Sequence, residues 1–233
     1  MSPREPPHAR QLPLSLPHAA AMTRGDFLTG DANRTAIALV DAWPRWPAPA
    51  VLIVGPVGSG KTHLVEIWRA ASGAAGVAAA ALPGGAVETL VSSGGVAVVD
   101  LHAGPIDERA LFHLLNRAAE RGATVLLTSR VWPAALRLGL ADLASRLRAA
   151  YMVEVGEPDE ALLRSVLIKL FADRQLSVDR AVVDYIVVRM ERSLEAANRI
   201  VAELDVTALA EARAITRPLA AAALGRVGEE EAR

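Results

Sequence analysis

The chain has 233 residues, 52% of them hydrophobic and 22% charged, enough for one full core or a core with a small appendage. A net charge of −1 offers no electrostatic case for a duplex-DNA binder, and the absence of cysteine excludes a disulfide framework or a Cys-based metal site. No signal-peptide pattern opens the chain, and the Ala-rich run at 70–82 is too weakly apolar to cross a bilayer, so a soluble cytoplasmic protein is expected.

Residues 1–22 hold five of the 14 prolines and read as a flexible, extended tail. Inside it, Gln11-Leu12-Pro13-Leu14-Ser15-Leu16 is an apolar patch with no core of its own. From Asp31 the pattern is helical, with Ala32, Thr35, Ala36, Leu39 and Val40 on one face and a stop before Pro44. The first strand is predicted at 51–54, then a helix at 61–71, a second strand at Val77–Ala81 and a short helix at Val87–Val91. A third strand, Val96–Val99, ends in Asp100. Ala110, Leu111, Leu114, Leu115 and Ala118 mark a helix over 107–121, with Gly122 as its C-cap. A fourth strand at Thr124–Thr128, a helix at Leu140–Leu147 and a fifth strand at Tyr151–Val155 follow. Strands that are nearly continuous apolar runs, alternating with helices, predict an α/β fold with a parallel five-stranded sheet covered on both faces. After Gly156-Glu157-Pro158 the strands stop. Asp159 caps a helix to Asp173, further helices span Asp179–Arg189 and Ser193–Leu209, and a short one follows Pro218. This is an all-helical appendage. The expected organisation is a tail at 1–22, a core at 23–156, a helical unit at 157–226 and a solvated tail at 227–233.

Chemistry concentrates after the first strand. Gly55-Pro56-Val57-Gly58-Ser59-Gly60-Lys61-Thr62, with His63 directly after, is a complete G-x-x-x-x-G-K-[ST] loop between a strand and a helix. The glycines let backbone N–H groups curl around phosphates, and the new helix points its positive end at them. Lys61 reaches the outer phosphates and the Thr62 hydroxyl can ligand Mg²⁺. A plain Gly-rich turn is the competing reading. Asp100 ends the third strand at the edge where open α/β sheets bind ligands, the position of a carboxylate that holds Mg²⁺. Its alternative is a surface Asp. Leu101 follows it, so no acid is in place to polarise an attacking water, and weak intrinsic hydrolysis is expected. Thr128-Ser129-Arg130 ends the fourth strand, where Thr128 would face the γ-phosphate; a merely polar strand end is equally compatible.

Together these motifs resemble the AAA+ ATPases, and within them the DnaA/Hda family. Asp26–Asn33 resembles the F-x-x-G-x-x-N segment that enters the domain and contacts adenine. Asp107–Asn116 resembles the acidic-aromatic helix, and Asp142–Leu147 resembles box VII, which carries the arginine finger. Arg192–Ala197 resembles the sensor 2 segment of the lid, and Arg213–Pro218 the lid's end. The likeness covers 26–224. The sequence stops after the lid, without a helix-turn-helix that reads origin DNA. The 82–95 segment is short, and the acid after Asp100 is missing; these departures point to the Hda branch.

The resemblance implies an AAA+ P-loop core with an all-α lid. It implies a negative regulator of replication initiation that binds ADP or ATP with Mg²⁺ and stimulates hydrolysis of DnaA-bound ATP. Gly55–His63, Asp100, Thr128 and Arg192 would bind nucleotide, and Thr62 and Asp100 the metal. Arg146 would be the finger acting in trans, with Arg148 and Arg137 as further candidates; a solvated charge is the alternative. Gln11, Leu12, Leu14 and Leu16 resemble the family's peptide for the DNA polymerase III sliding clamp (beta), where a Pro/Leu-rich linker is the alternative. The implied partners are DnaA and the clamp, with DNA contacted only through the clamp, no membrane and a possible homo-oligomer. Two rivals are a truncated initiator or helicase loader acting on single-stranded DNA, and a small-molecule P-loop kinase.

Overall fold

A computed structural model describes residues 22–211 and 213–231. Five parallel strands form one sheet: β1 (Ala50–Val54), β2 (Ala75–Ala78), β3 (Gly95–Val99), β4 (Thr124–Ser129) and β5 (Tyr151–Glu154), in the order β2-β3-β4-β1-β5. The alternation of side chains across the pleat divides each central strand between two cores. Val51, Ile53, Ala97 and Leu126 pack under α1 (Arg34–Asp41) and α2 (Lys61–Ser72). Leu52, Val96, Val98, Val125 and Leu127 pack under α3 (Val87–Ser92), α4 (Glu108–Arg121) and α5 (Ala141–Ala149). Trp68 on α2 is fully buried and stacks on Trp46 at 5.1 Å. Burying a side chain of that class stabilises by about 1.5–3 kcal/mol.

Beyond the sheet, α6 (Glu160–Asp173), α7 (Arg180–Val187), α8 (Leu194–Glu211) and α9 (Arg217–Glu231) enclose a third core around Leu163, Leu167, Ile186, Ile200 and Leu204. Asp159 starts α6, its carboxylate accepting the Leu162 N–H at 2.7 Å, and Asp179 starts α7 in the same way through Ala181 at 2.7 Å. No helix among the described residues is long and apolar enough to cross a membrane.

Two elements differ from expectation. The second strand ends at Ala78, and Ala79–Ala81 form a 3-10 turn. Ala78 pairs with Val99, the last residue of β3 before the chain turns at Asp100, so residues 79–81 have no neighbouring strand to bond. The last helix is not short. Pro218 occupies its first turn, where no N–H is needed, Leu219, Ala220, Ala223 and Val227 give it a buried face, and the helix runs to Glu231. The boundary at 226 therefore falls inside α9, which continues through the expected tail at 227–233 as far as Glu231. The Gln11, Leu12, Leu14 and Leu16 motif lies outside the described residues.

Candidate nucleotide site

The C-terminal ends of β1, β3 and β4 meet at one sheet edge. The register pairs Val54 with Ser129, and the Gly55 N–H bonds the Ser129 carbonyl at 3.1 Å. The phosphate loop starts from this seam. Gly58 has φ +66° and Gly60 φ +96°, both left-handed conformations that side chains resist. The space over Gly58 is also taken, because a Cβ there would run into the Ser193 side chain of the lid.

Lys61 opens α2 and folds its ammonium into the loop, donating to the Gly55 carbonyl at 2.8 Å, the Pro56 carbonyl at 2.5 Å and Ser59 Oγ at 3.3 Å. It is only 8% exposed. Burial pushes its pKa below the ordinary 10.5, and the nearby Arg130 guanidinium pushes further the same way, against the pull of Asp100. Lys61 is thus a desolvated cation facing a second cation, an arrangement that a polyanion relieves.

Asp100 adopts φ +61°, which turns the chain sharply off the strand. The turn sends Leu101 into the core at 2% exposure, away from the cavity. Thr128 is 2% exposed and its hydroxyl accepts the Asp100 N–H at 3.0 Å. It braces Asp100 and is not among the residues that line the cavity; Arg130, two residues on, is. The Arg130 N–H bonds His102 Nδ1 at 3.1 Å. Burial, then the Arg130 charge, lowers the His102 pKa and favours the neutral ring.

A cavity of about 490 Å³ lies between this edge and the lid. From the sequence-predicted set it takes Val57, Gly58, Gly60, Lys61, Thr62, His63 and Asp100. Gly55, Pro56 and Ser59 support the loop from beneath, Ser59 Oγ donating to the Pro56 carbonyl at 2.9 Å. Thr62 and Asp100 supply two hard oxygen donors, which suits Mg²⁺, an ion that fills its shell with waters and phosphate oxygens.

The entry segment closes one side. Phe27 is 6% exposed and meets the His63 ring edge-on at 5.1 Å, and His63 Nε2 lies 2.9 Å from the Thr23 carbonyl. Arg24 grips Asp41 of α1 with two nitrogens. Asn33, 2% exposed, ties the turn by accepting the Gly30 N–H and donating to the Leu28 carbonyl. Asp26 pairs with Lys169 of α6 at 2.9 Å, and this bond, then the Thr23 hydroxyl, draws its pKa down to about 2.

The lid closes the other side. The Leu194 N–H donates to the Gly58 carbonyl at 2.8 Å, setting the start of α8 directly on the phosphate loop. Leu194, Asn198, Val166 and Leu170 form the facing wall. Sequence reasoning missed these four; their helical spacing is the same as that of core positions, and no local signal separates the two. Arg192 does not reach the cavity. It is exposed and pairs with Glu160 at 3.4 Å, while Ser193 and Leu194 next to it pack on the loop.

Arg146 lies at the opposite sheet edge, beside Ala50 and Val125, where β1 and β4 begin. It is exposed, 6.0 Å from the Phe112 ring, and no carboxylate pairs with it among the described residues.

Residues 160–224 match the family model described as "Hda, lid domain". Domain III of the Thermotoga maritima replication initiation protein DnaA has the same fold, with a TM-score of 0.74 at 18% identity over 91% of this chain and 99% of that one. DnaA from Aquifex aeolicus bound to AMPPCP matches with a TM-score of 0.60 at 20% identity, over 73% of this chain and 61% of that one. The Thermotoga maritima RuvB branch migration motor matches with a TM-score of 0.69 at 14% identity, over 88% and 72%. No curated protein matches the chain.

Proposed function

We propose, for a chain that belongs to the Hda/DnaA family of AAA+ proteins, that it binds adenine nucleotide in the cavity between core and lid and acts as a regulator of DnaA. The observation that carries the reading is the seating of the Hda-type lid on the phosphate loop through Leu194 and Gly58, with Lys61 desolvated beside them. Lys61 neutralises the outer phosphates, and the loop N–H groups with the α2 N-terminus orient them. Thr62 and Asp100 would hold Mg²⁺, which supplies charge neutralisation at the phosphates when bound. Leu101 leaves no carboxylate to orient water, so the chain keeps its own nucleotide and works on that of a partner.

Arg146 is the group offered to that partner. It projects from the edge opposite its own phosphate loop, free of any carboxylate among the described residues. A planar guanidinium brought against a γ-phosphate stabilises the charge that builds there during hydrolysis. The Gln11–Leu16 motif docks the chain on the sliding clamp and brings Arg146 to ATP-bound DnaA.

The test follows ADP formation by ATP-loaded DnaA with DNA-loaded clamp, with and without this protein. Stimulation by the wild type is expected, lost in Arg146→Ala and little restored in Arg146→Lys. No stimulation by the wild type would overturn the reading, and full activity of Arg146→Ala would remove Arg146 from it. Tight binding of single-stranded DNA without clamp would favour a DNA-handling ATPase.

A further inference from the structure

The two sides of the cavity are closed by different chemistry. At α8 the contact is a backbone hydrogen bond and close packing on Gly58. At α6 it is an ion pair, Asp26 to Lys169, with both side chains about a quarter exposed at 27% and 25%. Asp26 belongs to the core side, since its segment is tied to α2 through Thr23 and Phe27 and to α1 through Arg24. Lys169 belongs to the lid, and it lines the cavity together with Asp26 and Asp173. The pair therefore spans the gap that a nucleotide must cross.

Lys169 has a second carboxylate. Asp173, one turn on in the same helix, lies 2.7 Å from its ammonium. When lid and entry segment separate, Lys169 loses Asp26 but keeps Asp173, so opening strands no unpaired cation. Both acids bond the one ammonium in the closed molecule, at 2.9 and 2.7 Å, and only the bond to Asp26 holds the lid down.

From this we infer that Asp26 and Lys169 are a latch that sets the residence time of bound nucleotide, with Asp173 as the resting partner that keeps the latch easy to release. The inference rests on the nucleotide-site reading above and adds its kinetic control. Asp26 and Lys169 both line the cavity, and the latch acts on release by holding the lid to the entry segment.

Dissociation of fluorescent ADP from the full-length protein, followed by stopped flow, tests it. Asp26→Asn should speed release by about two- to fivefold, the scale of a part-exposed ion pair. Asp173→Asn should slow release by a similar factor, because Lys169 then has Asp26 alone. In the Asp26→Asn background, Asp173→Asn should do nothing further, the coupling expected of two acids sharing one base. Raising salt from about 50 mM to about 1 M should bring wild type and Asp26→Asn together, as screening removes the pair. Losing a negative charge beside an anionic ligand would slow release in both variants. Equal signs, or rates that do not respond, would therefore overturn the latch while leaving the nucleotide site standing. Failure of the wild type to bind ADP would overturn both.

Discussion

Lys61 carries the charge balance of the cavity. Its pKa is depressed by burial first and Arg130 second, and bound phosphates would raise it again. As pH rises through the depressed value, the free protein loses the Lys61 proton and must regain it to bind. Nucleotide affinity should accordingly fall with pH in the alkaline window below 10.5, with proton uptake measurable by titration calorimetry in buffers of different ionisation enthalpy. Lys61→Ala should abolish binding and its pH dependence together. Gly58 is the second sensitive position. Alanine there meets both a left-handed backbone and the Ser193 side chain, so Gly58→Ala should weaken ADP binding by about tenfold or more. Ser193→Gly in the same protein should recover part of the loss, since it relieves the collision but not the backbone strain. Full affinity in Gly58→Ala would show that the lid does not sit on the loop in solution.

Among the elements, the lid helices depend on their first residues. Asp159 and Asp179 each accept an N–H of the turn they open, and replacing such a cap by alanine costs about 1 kcal/mol. Asp159→Ala should lower the urea midpoint by that energy divided by the slope, with the slope itself unchanged. It should also raise the nucleotide dissociation constant, because α6 supplies Val166 and Leu170 to the cavity. Glu160→Ala should cost much less, since its partner Arg192 is exposed. The entry segment behaves as an element too, although it contains only a 3-10 turn, Arg24–Asp26. Its ties to α1, α2 and α6 make it a second connection between core and lid, beside the Leu194–Gly58 bond.

On the scale of the whole molecule, the cavity lies between the sheet edge and the lid, lined by Phe27 of one sheet-face core and by Leu170 of the lid core. A ligand that touches both core and lid adds its binding energy to the folding of each. ADP at a hundredfold excess over its dissociation constant should stabilise the protein by about 2.7 kcal/mol. Calorimetry should show one transition moving upward, and no shift in Lys61→Ala. Two transitions, with only the first moved by ADP, would mean that the lid unfolds independently of the site.

The sequence by itself determined the phosphate loop, the alternation of strand and helix, and the change to an all-helical unit after Pro158. Each depends on neighbours within a few residues: glycines at left-handed positions, apolar runs flanked by turn residues, and Asp159 at a helix start. The lid was legible as an ordered motif, and the "Hda, lid domain" match over 160–224 agrees with it. Tertiary structure alone decided which side chains share the cavity. Thr128 looks outward-facing as a strand-end residue, yet it is buried and its hydroxyl accepts the N–H of Asp100, just past the end of the neighbouring strand. Arg192 carries the sensor-like charge, but the Leu194–Gly58 bond gives the loop-facing position to its neighbours. Asp26 and Lys169 meet although they lie far apart in the chain, because the lid folds back over the segment from which the core begins. Such pairings depend on how separate elements dock, and a side chain's local pattern carries no record of what lies across a gap.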